Sequence, residues 1–323
     1  MVSVVPAPPA ISIVMPLYNK AGQVLETIAS VRAQTLSDWE LVVVDDGSTD
    51  DGAAQVRDLK DARVRVVSQA NAGVSAARNR GIELARADLV AFLDADDLWL
   101  PGFLAAILAL QADFPEAHWF ATGYEICPAQ GAAYSTRLRG SSADFSRGLL
   151  PDYFNVALAS DPPVWSSATA VRRNAIQAIG GFQEGIDSGE DLLTWARLAV
   201  RYPLAYDARP LAVFVVSGIE RRPDTADRVG KALVQLAREH PGVPGLRRYR
   251  GLWYRMQAVM AMRFGETALA RQWAWLAVRY EPGQVRNPYT LLLVLLPTAW
   301  RQAVDTRARS LLKNHIDKGD TAS

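Results

Sequence analysis

Three aspartates stand within four positions in FLDADDLW, residues 92–99. Carboxylates this close repel one another, so the cluster is costly unless a cation joins it or water solvates it. Asp94 and Asp96 lie two positions apart, which on an extended loop places both on one side, as a hard divalent cation with phosphate partners requires. The alternatives are a solvated acidic loop, or Asp97 capping the helix expected near Pro101.

A second acidic pair, Glu190 and Asp191, ends the stretch SGED at 188–191. Ser-x-x-Asp is typical of a helix N-terminus, with Ser188 as the capping residue. The same turn would hold Asp191 where the helix dipole favours an anion. A carboxylate held there could accept a proton from a substrate hydroxyl. Both interpretations can be true together.

Two other polar stretches could contact a nucleotide. In DDGSTDDG (45–52), Asp46 could accept hydrogen bonds from a base or sugar, although an Asx turn is the plainer alternative. In NAGVSAARNRG (71–81), a helix is expected after Gly73, with Arg78 inside it. Helix N-termini and arginines both suit phosphate, although an exposed surface helix has the same pattern.

These polar stretches follow apolar runs that predict a sheet. Strands are expected at 11–18, 40–46, 63–69, 88–97, 118–127, 164–171 and 204–216. With helical patterns at 22–34 and 74–87, the runs predict an α/β fold with a mainly parallel sheet flanked by helices. Because such sheets bind ligands at the carboxyl ends of their strands, the polar stretches should converge on one crevice.

The remainder of the chain is predicted to be helical. Segments 252–265 and 266–282 predict an αα hairpin, and 287–313 is apolar first and basic afterwards, like an interfacial helix. We therefore expect an N-terminal tail at 1–10, an α/β domain at 11–219 and a basic helical region at 220–323.

The net charge of +1 hides an asymmetry between the two parts. Residues 1–219 carry 17 Lys and Arg against 25 Asp and Glu, and residues 220–323 carry 18 against 9. A basic helical region suits an anionic surface, either a membrane or the acidic domain itself, and we expect no nucleic-acid partner. Peripheral contact with an anionic membrane is expected through 287–313. A homodimer contact is an alternative.

Location follows from features that we do not find in the sequence. No run reaches the roughly 18 apolar residues of a membrane span, and the N-terminus lacks the pattern of a signal peptide. Cys127 is the single cysteine, so a disulfide within the chain is excluded. We expect a cytoplasmic protein, peripheral on the inner face of the plasma membrane.

Taken in order, PLYN (16–19), VVVDDGSTD (42–50), ARN (77–79), DADD (94–97), GGF (180–182) and GED (189–191) resemble the family 2 glycosyltransferases. The resemblance covers roughly residues 10–215. It implies the GT-A fold, a nucleotide-diphosphate sugar donor, usually a UDP-sugar, and a Mn²⁺ or Mg²⁺ ion. It also implies direct displacement with inversion, which needs one carboxylate as general base.

The same resemblance implies a role for individual residues. Its nucleotide-binding set is Pro16, Tyr18, Asp46, Arg78, Asp94 and Ala95. Asp46 would face the nucleobase, and Asp96 with Asp94 would hold the metal. Asp191 would be the general base, with Glu190 beside it near the acceptor.

The chain departs from the family near residue 217. Where the family often has Tyr-Arg-x-His, Val215 and Ser217 replace the arginine and histidine, and Arg221 and Arg222 are candidates for the lost phosphate contact. The Gln-x-x-Arg-Trp motif of processive synthases is missing. We therefore expect a non-processive enzyme acting on a glycan or lipid-linked acceptor in surface polysaccharide synthesis.

Two other function classes are weighed against this one. A non-catalytic scaffold that binds carbohydrate or membrane would use the basic helical region. A nucleotidyltransferase would use a related sheet, but a Gly-rich phosphate loop is missing after the first strand.

Overall fold

The computed structural model describes residues 7–140, 145–186, 188–216 and 223–296. They form two compact units. The α/β unit comprises residues up to 216 together with Lys231–Gly245, and the helical unit comprises 223–230 together with 246–296. The predicted boundary between 219 and 220, the candidates Ser217, Arg221 and Arg222, and residues 1–6 of the predicted tail lie outside the described residues.

The α/β unit is built on one mixed sheet, as the predicted α/β fold requires. Its strands are β1 (Ile11–Leu17), β2 (Trp39–Asp45), β3 (Val64–Ser68), β4 (Leu89–Phe92), β5 (Leu98–Trp99), β6 (Trp119–Cys127), β7 (Tyr134–Ser135), β8 (Arg147–Leu149), β9 (Thr169–Arg172) and β10 (Leu204–Val215). Their order is β3-β2-β1-β4-β9-β6-β10-β5, with β7 beside β6 and β8 beside β10.

Helices connect these strands. They are α1 (Val24–Arg32), α2 (Gly52–Asp58), α3 (Val74–Leu84), α4 (Phe103–Asp113), α5 (Tyr153–Ala159), α6 (Arg173–Ala178) and α7 (Glu190–Ala199). A further helix, α8 (Arg228–Glu239), contributes residues to both units.

The parallel half of the sheet consists of β3, β2, β1 and β4. Leu17 pairs with Asp45, so β1 and β2 end at the same level. The sheet is mixed because β9 is inserted antiparallel between β4 and β6, and the short strands β5, β7 and β8 also pair antiparallel. The predicted strand at 164–171 is therefore shorter, since Ser166–Ala168 forms a 3₁₀ turn before β9.

Helix α3 packs closely against β1 where Gly81 faces Val14. A Cβ atom added to Gly81 would lie 2.2 Å from Cγ1 of Val14. Such a separation is far inside van der Waals contact, so a side chain larger than hydrogen at this position would push the helix away from the strand. Gly81 thus sets the height of α3 above the sheet.

The helical unit contains α9 (Leu246–Arg263), α10 (Thr267–Tyr280) and α11 (Arg286–Leu295). Gly265, with φ of 74°, turns the chain between α9 and α10, as the predicted hairpin requires. Asp227 accepts hydrogen bonds from Trp253 Nε1 and from the Tyr254 hydroxyl at 3.3 and 2.9 Å. Of the predicted helix at 287–313, residues 297–313 lie outside the described residues. Within the described part, each helix is too short or too polar to span a bilayer.

Candidate functional site

The loops after β1 and β2 are bonded to each other. Asn19 donates its backbone N–H to Ser48 Oγ at 3.2 Å, and its side-chain oxygen accepts from the Thr49 N–H at 2.8 Å. Next to this junction, Pro16 is half-buried within β1, and Tyr18 is 49 % exposed. An exposed aromatic ring beside a polar loop offers a stacking surface.

Asp46 is buried and faces the protein. Its carboxylate accepts hydrogen bonds from the Ala72 and Gly73 N–H groups at 2.9 and 2.8 Å and from Gln69 Nε2 at 2.8 Å. These bonds hold the loop that begins α3. The predicted contact between Asp46 and a nucleobase remains a prediction.

The Asx turn considered for this stretch belongs to the preceding residue. Asp45 Oδ1 accepts from the Ser48 N–H at 3.0 Å, and Oδ2 accepts from Ser68 Oγ at 2.9 Å. Burial alone would raise the pKa of Asp45, but the hydrogen bonds from Ser48 and Ser68 outweigh burial and lower it. Asp45 therefore stabilises the loop after β2, whereas Asp46 holds the loop that begins α3.

Asp94, Ala95 and Asp96 follow β4 at the same end of the sheet. The Asp94 N–H donates to Ser167 Oγ at 3.0 Å, and Ala95 is buried, with its carbonyl accepting from Thr27 Oγ1. Asp96 accepts from Lys20 Nζ at 2.5 Å. Lys20 directly follows PLYN, a signal that sequence reasoning overlooked.

Asp97 turns away from its two acidic neighbours. Its carboxylate accepts from Trp165 Nε1 at 2.8 Å, from Ser167 Oγ at 2.6 Å and from the Val215 N–H at 3.0 Å. Burial and the charge of Asp94 raise its pKa to about 7 despite these bonds. The considered role as a helix cap is wrong, since α4 begins after Gly102 without a side-chain cap.

Arg78 is fully buried between two carboxylates. It donates from Nη2 to Asp94 at 2.7 Å and from Nη1 to Glu190 at 3.0 Å. Its guanidinium also lies 5.1 Å from the centre of the Phe182 ring. Burial alone would lower its pKa, but the charges of Asp94 and Glu190 raise it, so the group stays cationic. Arg78, predicted near the nucleotide, physically joins the two acidic motifs.

Asp191 lies in the first turn of α7 and is half-buried. Its Oδ1 accepts from the Leu192 N–H at 2.7 Å. The prediction that Ser188 caps this helix is wrong. Gly189, with φ of 83°, is the N-cap, and the helix begins at Glu190. A capping Ser188 would require the helix to begin one residue earlier, at Gly189.

Asn79, which sequence reasoning did not single out, fastens the GGF turn. Its side-chain oxygen accepts from the Phe182 N–H at 2.9 Å, and its Nδ2 donates to the Phe182 carbonyl at 2.9 Å. A Cβ atom on Gly181 would lie 2.5 Å from the Asn79 oxygen. The position of Asn79 next to Arg78 in ARN was the available signal.

Asp94 and Asp96 are the residues that could hold a hard divalent cation. Both supply carboxylate oxygens two positions apart, and both remain partly accessible, with side chains 17 % and 16 % exposed. Mg²⁺ is commonly held by one or two carboxylates together with substrate phosphates. Among the described residues, we find no group of three or more His, Cys, Asp or Glu side chains that could hold a metal ion by itself. A diphosphate would therefore have to complete the coordination.

A cavity of about 500 Å³ lies behind the GGF turn, in the α/β unit. Its lining includes Asn79, Gly180, Phe182, Arg197, Arg201 and Glu239. Burial and the charge of Arg201 lower the pKa of Arg197. The predicted site residues do not line this cavity, so their chemistry belongs to the strand ends.

Comparison with known proteins agrees with this geometry. A sequence model of glycosyl transferase family 2 matches residues 12–180, which is 169 of the 323 residues. An uncharacterized glycosyltransferase of Rickettsia felis is 31 % identical over 213 residues, covering 64 % of this chain and 33 % of its own. The chain thus spans about a third of the length of the curated relatives it matches first.

Two other proteins are informative. The Escherichia coli UDP-Glc:α-D-GlcNAc-diphosphoundecaprenol β-1,3-glucosyltransferase WfgD is 38 % identical over 91 residues, which is 28 % of this chain and 36 % of that protein. The crystal structure of S. aureus TarS 1–349 with UDP-GlcNAc superposes with a TM-score of 0.65 at 14 % identity, covering 91 % of this chain and 92 % of that one. The latter similarity concerns the fold alone. Because the family model covers more than half of the sequence and includes the strand-end loops described above, the chain belongs to glycosyl transferase family 2.

Proposed function

We propose that this protein is an inverting, metal-dependent and non-processive glycosyltransferase. It moves a sugar from a nucleotide diphosphate, most simply UDP, to a hydroxyl of a glycan or lipid-linked acceptor in surface polysaccharide synthesis. The observation that carries the proposal is the buried bridge of Arg78, which joins the donor-side Asp94 to Glu190 beside Asp191. A scaffold without catalysis would have no need for two acidic motifs tied together.

In the proposed reaction, Asp191 accepts the proton of the acceptor hydroxyl. The hydroxyl oxygen forms a bond to the anomeric carbon, and the bond between that carbon and the diphosphate oxygen breaks. The electron pair of the broken bond leaves with the nucleotide diphosphate. Attack from the face opposite the leaving group inverts the anomeric centre, and a second carboxylate nucleophile is not needed. The dipole of α7 favours the anionic form of Asp191 that this step requires.

Asp94 and Asp96 would hold the Mn²⁺ or Mg²⁺ ion. When bound, such an ion neutralises charge that develops on the departing diphosphate. Lys20 already compensates the charge of Asp96, and Arg78 that of Asp94. Each carboxylate uses one oxygen in these ion pairs, so its other oxygen can face the donor.

The relatives support the substrate class. WfgD uses UDP-Glc and acts on a sugar carried by diphosphoundecaprenol. TarS has been crystallised with UDP-GlcNAc and with UDP. These properties belong to those proteins, and they favour a UDP-sugar and a lipid-linked acceptor here.

The deciding experiment is a panel of nucleotide sugars scored by released nucleotide diphosphate, with and without Mn²⁺. We expect turnover of at least one UDP-sugar, dependent on the metal. Asp191→Asn should lower kcat about 10²- to 10⁴-fold, the usual contribution of a general base. Asp96→Ala should abolish the metal dependence together with the activity.

Asp88→Asn is the matched control. The Asp88 side chain is 97 % exposed and lies at the amino end of β4, whereas Asp94 and Asp96 follow its carboxyl end. This variant should keep the wild-type rate. Wild-type turnover in Asp191→Asn would refute Asp191 as the base. Failure of every nucleotide sugar to turn over, or to raise the melting temperature together with Mn²⁺, would refute the proposed activity.

A further inference from the structure

Helix α11 exposes apolar side chains to solvent. Asn287, Thr290 and Val294 on one face are buried. The opposite face presents Val285, Pro288, Leu292 and Leu295, all exposed. The exposed fractions of Val285, Leu292 and Leu295 are 77, 58 and 56 %. Their spacing of three, four and three residues makes one continuous stripe along the helix.

A second exposed stripe runs along α10. Arg271, Trp275 and Arg279 are exposed and lie four residues apart, on one face of the helix. The Arg279 guanidinium lies 5.3 Å from the centre of the Trp275 ring. Arg271 Nε donates to the Val294 carbonyl at 3.3 Å, so this stripe lies beside the C-terminal end of α11. Arg271 therefore connects the two helices that carry the stripes.

The charged residues of helices α10 and α11 are all basic. Within Thr267–Tyr280 and Arg286–Leu295 the sequence contains Arg271, Arg279 and Arg286 but no acidic residue. Residues 246–296 together carry eight arginines against two glutamates. One of those glutamates, Glu281, is buried and ion-paired with Arg248 at 2.5 Å. The two helices that carry the exposed stripes are thus cationic.

We propose that this surface docks on an anionic lipid bilayer. The surface, here named the α10–α11 face, consists of Arg271, Trp275, Arg279, Val285, Leu292 and Leu295. Leucines would enter the boundary of the acyl chains, Trp275 would lie at the headgroup level, and the arginines would meet lipid phosphates. The proposal does not rest on the proposed function, since no residue of the strand-end site takes part in it.

The charge of the α10–α11 face favours a lipid surface over two other binding partners. A second copy of the chain would oppose the arginines of one α10–α11 face to those of the other, which disfavours a symmetric dimer here. Residues 297–323 of the same chain carry five basic and three acidic residues, so they do not supply the complementary charge either. Phospholipid headgroups with net negative charge do. The sequence predicts lipid contact through 287–313, and the present proposal adds α10 to that surface.

The test is cosedimentation of the full chain with vesicles, comparing pure phosphatidylcholine with a mixture containing a third phosphatidylglycerol. We expect binding to the anionic vesicles that weakens in high salt, because exposed charges are screened. Leu292→Glu should lower the partition coefficient about tenfold, because it removes an apolar contact and adds a charge that repels anionic headgroups. Leu25→Glu is the matched control, since Leu25 is an exposed leucine on α1, 41 % accessible.

Binding that survives in Leu25→Glu but is lost in Leu292→Glu supports the proposal. Equal binding by both variants, or no preference for anionic vesicles, overturns it. Sedimentation velocity is run on the same samples. A dimer that dissociates in Leu292→Glu, without vesicle binding by the wild type, would identify the α10–α11 face as an interface between copies and would also overturn the proposal.

Discussion

The guanidinium group of Arg78 balances the charge at the centre of the candidate site. Removing it would leave Asp94 and Glu190 facing each other, with Glu190 fully buried. Buried charge without a partner is costly, and like charges add repulsion. We therefore expect Arg78 to be a positioning residue whose loss lowers both stability and the proposed catalysis.

Arg78→Met should destabilise the protein by about 3–5 kcal/mol, the usual cost of breaking a buried ion pair. Arg78→Lys keeps the charge but replaces the two guanidinium nitrogens that bind separate carboxylates with a single nitrogen, so it should fold while losing most turnover. Urea unfolding measures the first effect, and donor hydrolysis at saturating donor measures the second. Arg80→Met, at an exposed arginine two residues along α3, is the control. Normal kcat in Arg78→Lys would rule out the positioning role.

The sequence alone singles out the acidic residues but cannot assign their partners. Asp94, Asp96 and Asp191 were singled out by their spacing and motif context. The family resemblance implies a place near the nucleotide for Arg78, but an arginine in a helix gives no sign of burial. A partner 112 positions away, such as Glu190, becomes visible only when the chain is folded.

At the scale of elements, α3 acts as a clamp on the segment that carries Glu190 and Asp191. Arg78 holds Glu190, and Asn79 holds the backbone of Phe182 on both sides. The GGF turn and the start of α7 are thus attached to one rigid helix. Rigid attachment of this kind would keep the proposed general base, Asp191, within the small tolerance that proton transfer requires.

Two neighbouring glycines test the clamp. Gly181 has φ of 69° and Gly180 has φ of 83°, so alanine is strained at both. Only at Gly181 would the new Cβ also displace Asn79, because nothing lies within 4 Å of a Cβ on Gly180. We expect Gly180→Ala to cost about 1 kcal/mol and Gly181→Ala about 2–3 kcal/mol, with lower kcat in the latter. Equal urea midpoints and equal kcat would show that the Asn79 contact is dispensable.

Most of the elements of the α/β unit could be predicted from the sequence, because Val- and Ile-rich runs alternating with helical patterns have few other solutions. The antiparallel insertion of β9 could not. Its residues TAVR have the same composition as a parallel strand, and its direction depends on where the long connection after β6 returns.

At the scale of the whole molecule, the sheet has a second polar network at the amino ends of its strands. Glu40 is buried and accepts from Ser12 Oγ at 2.6 Å, from the Arg86 N–H at 2.7 Å and from Arg65 Nη2 at 3.2 Å. It thereby connects β1, β2 and β3 to the link between α3 and β4. Burial raises the pKa of Glu40, but the bonds from Ser12 and Arg86 outweigh burial and lower it below 4.5.

This network predicts how stability depends on pH. Because the folded-state pKa of Glu40 is lowered, its ionised form stabilises the fold above the unfolded value of 4.5, and this contribution is lost as the pH falls through the folded value. Glu40→Gln should cost about 1–3 kcal/mol at pH 7, and the difference from wild type should shrink below pH 4.5. Glu26→Gln, at an exposed glutamate of α1, should show little difference. A cost for Glu40→Gln that is the same at pH 7 and pH 3.5 would contradict this account.

The attachments of α3 also constrain chain length. The start of α3 is fixed by the hydrogen bond from the Gly73 N–H to Asp46. Its middle is fixed by the bonds of Arg78 and Asn79 to their partners. Its distance from β1 is fixed by the contact between Gly81 and Val14. One residue added or removed between Gly73 and Arg78 would rotate everything beyond it by about 100° and break the later contacts together. Relatives that share this site should therefore vary in sequence along these two helical turns without gaining or losing a single position.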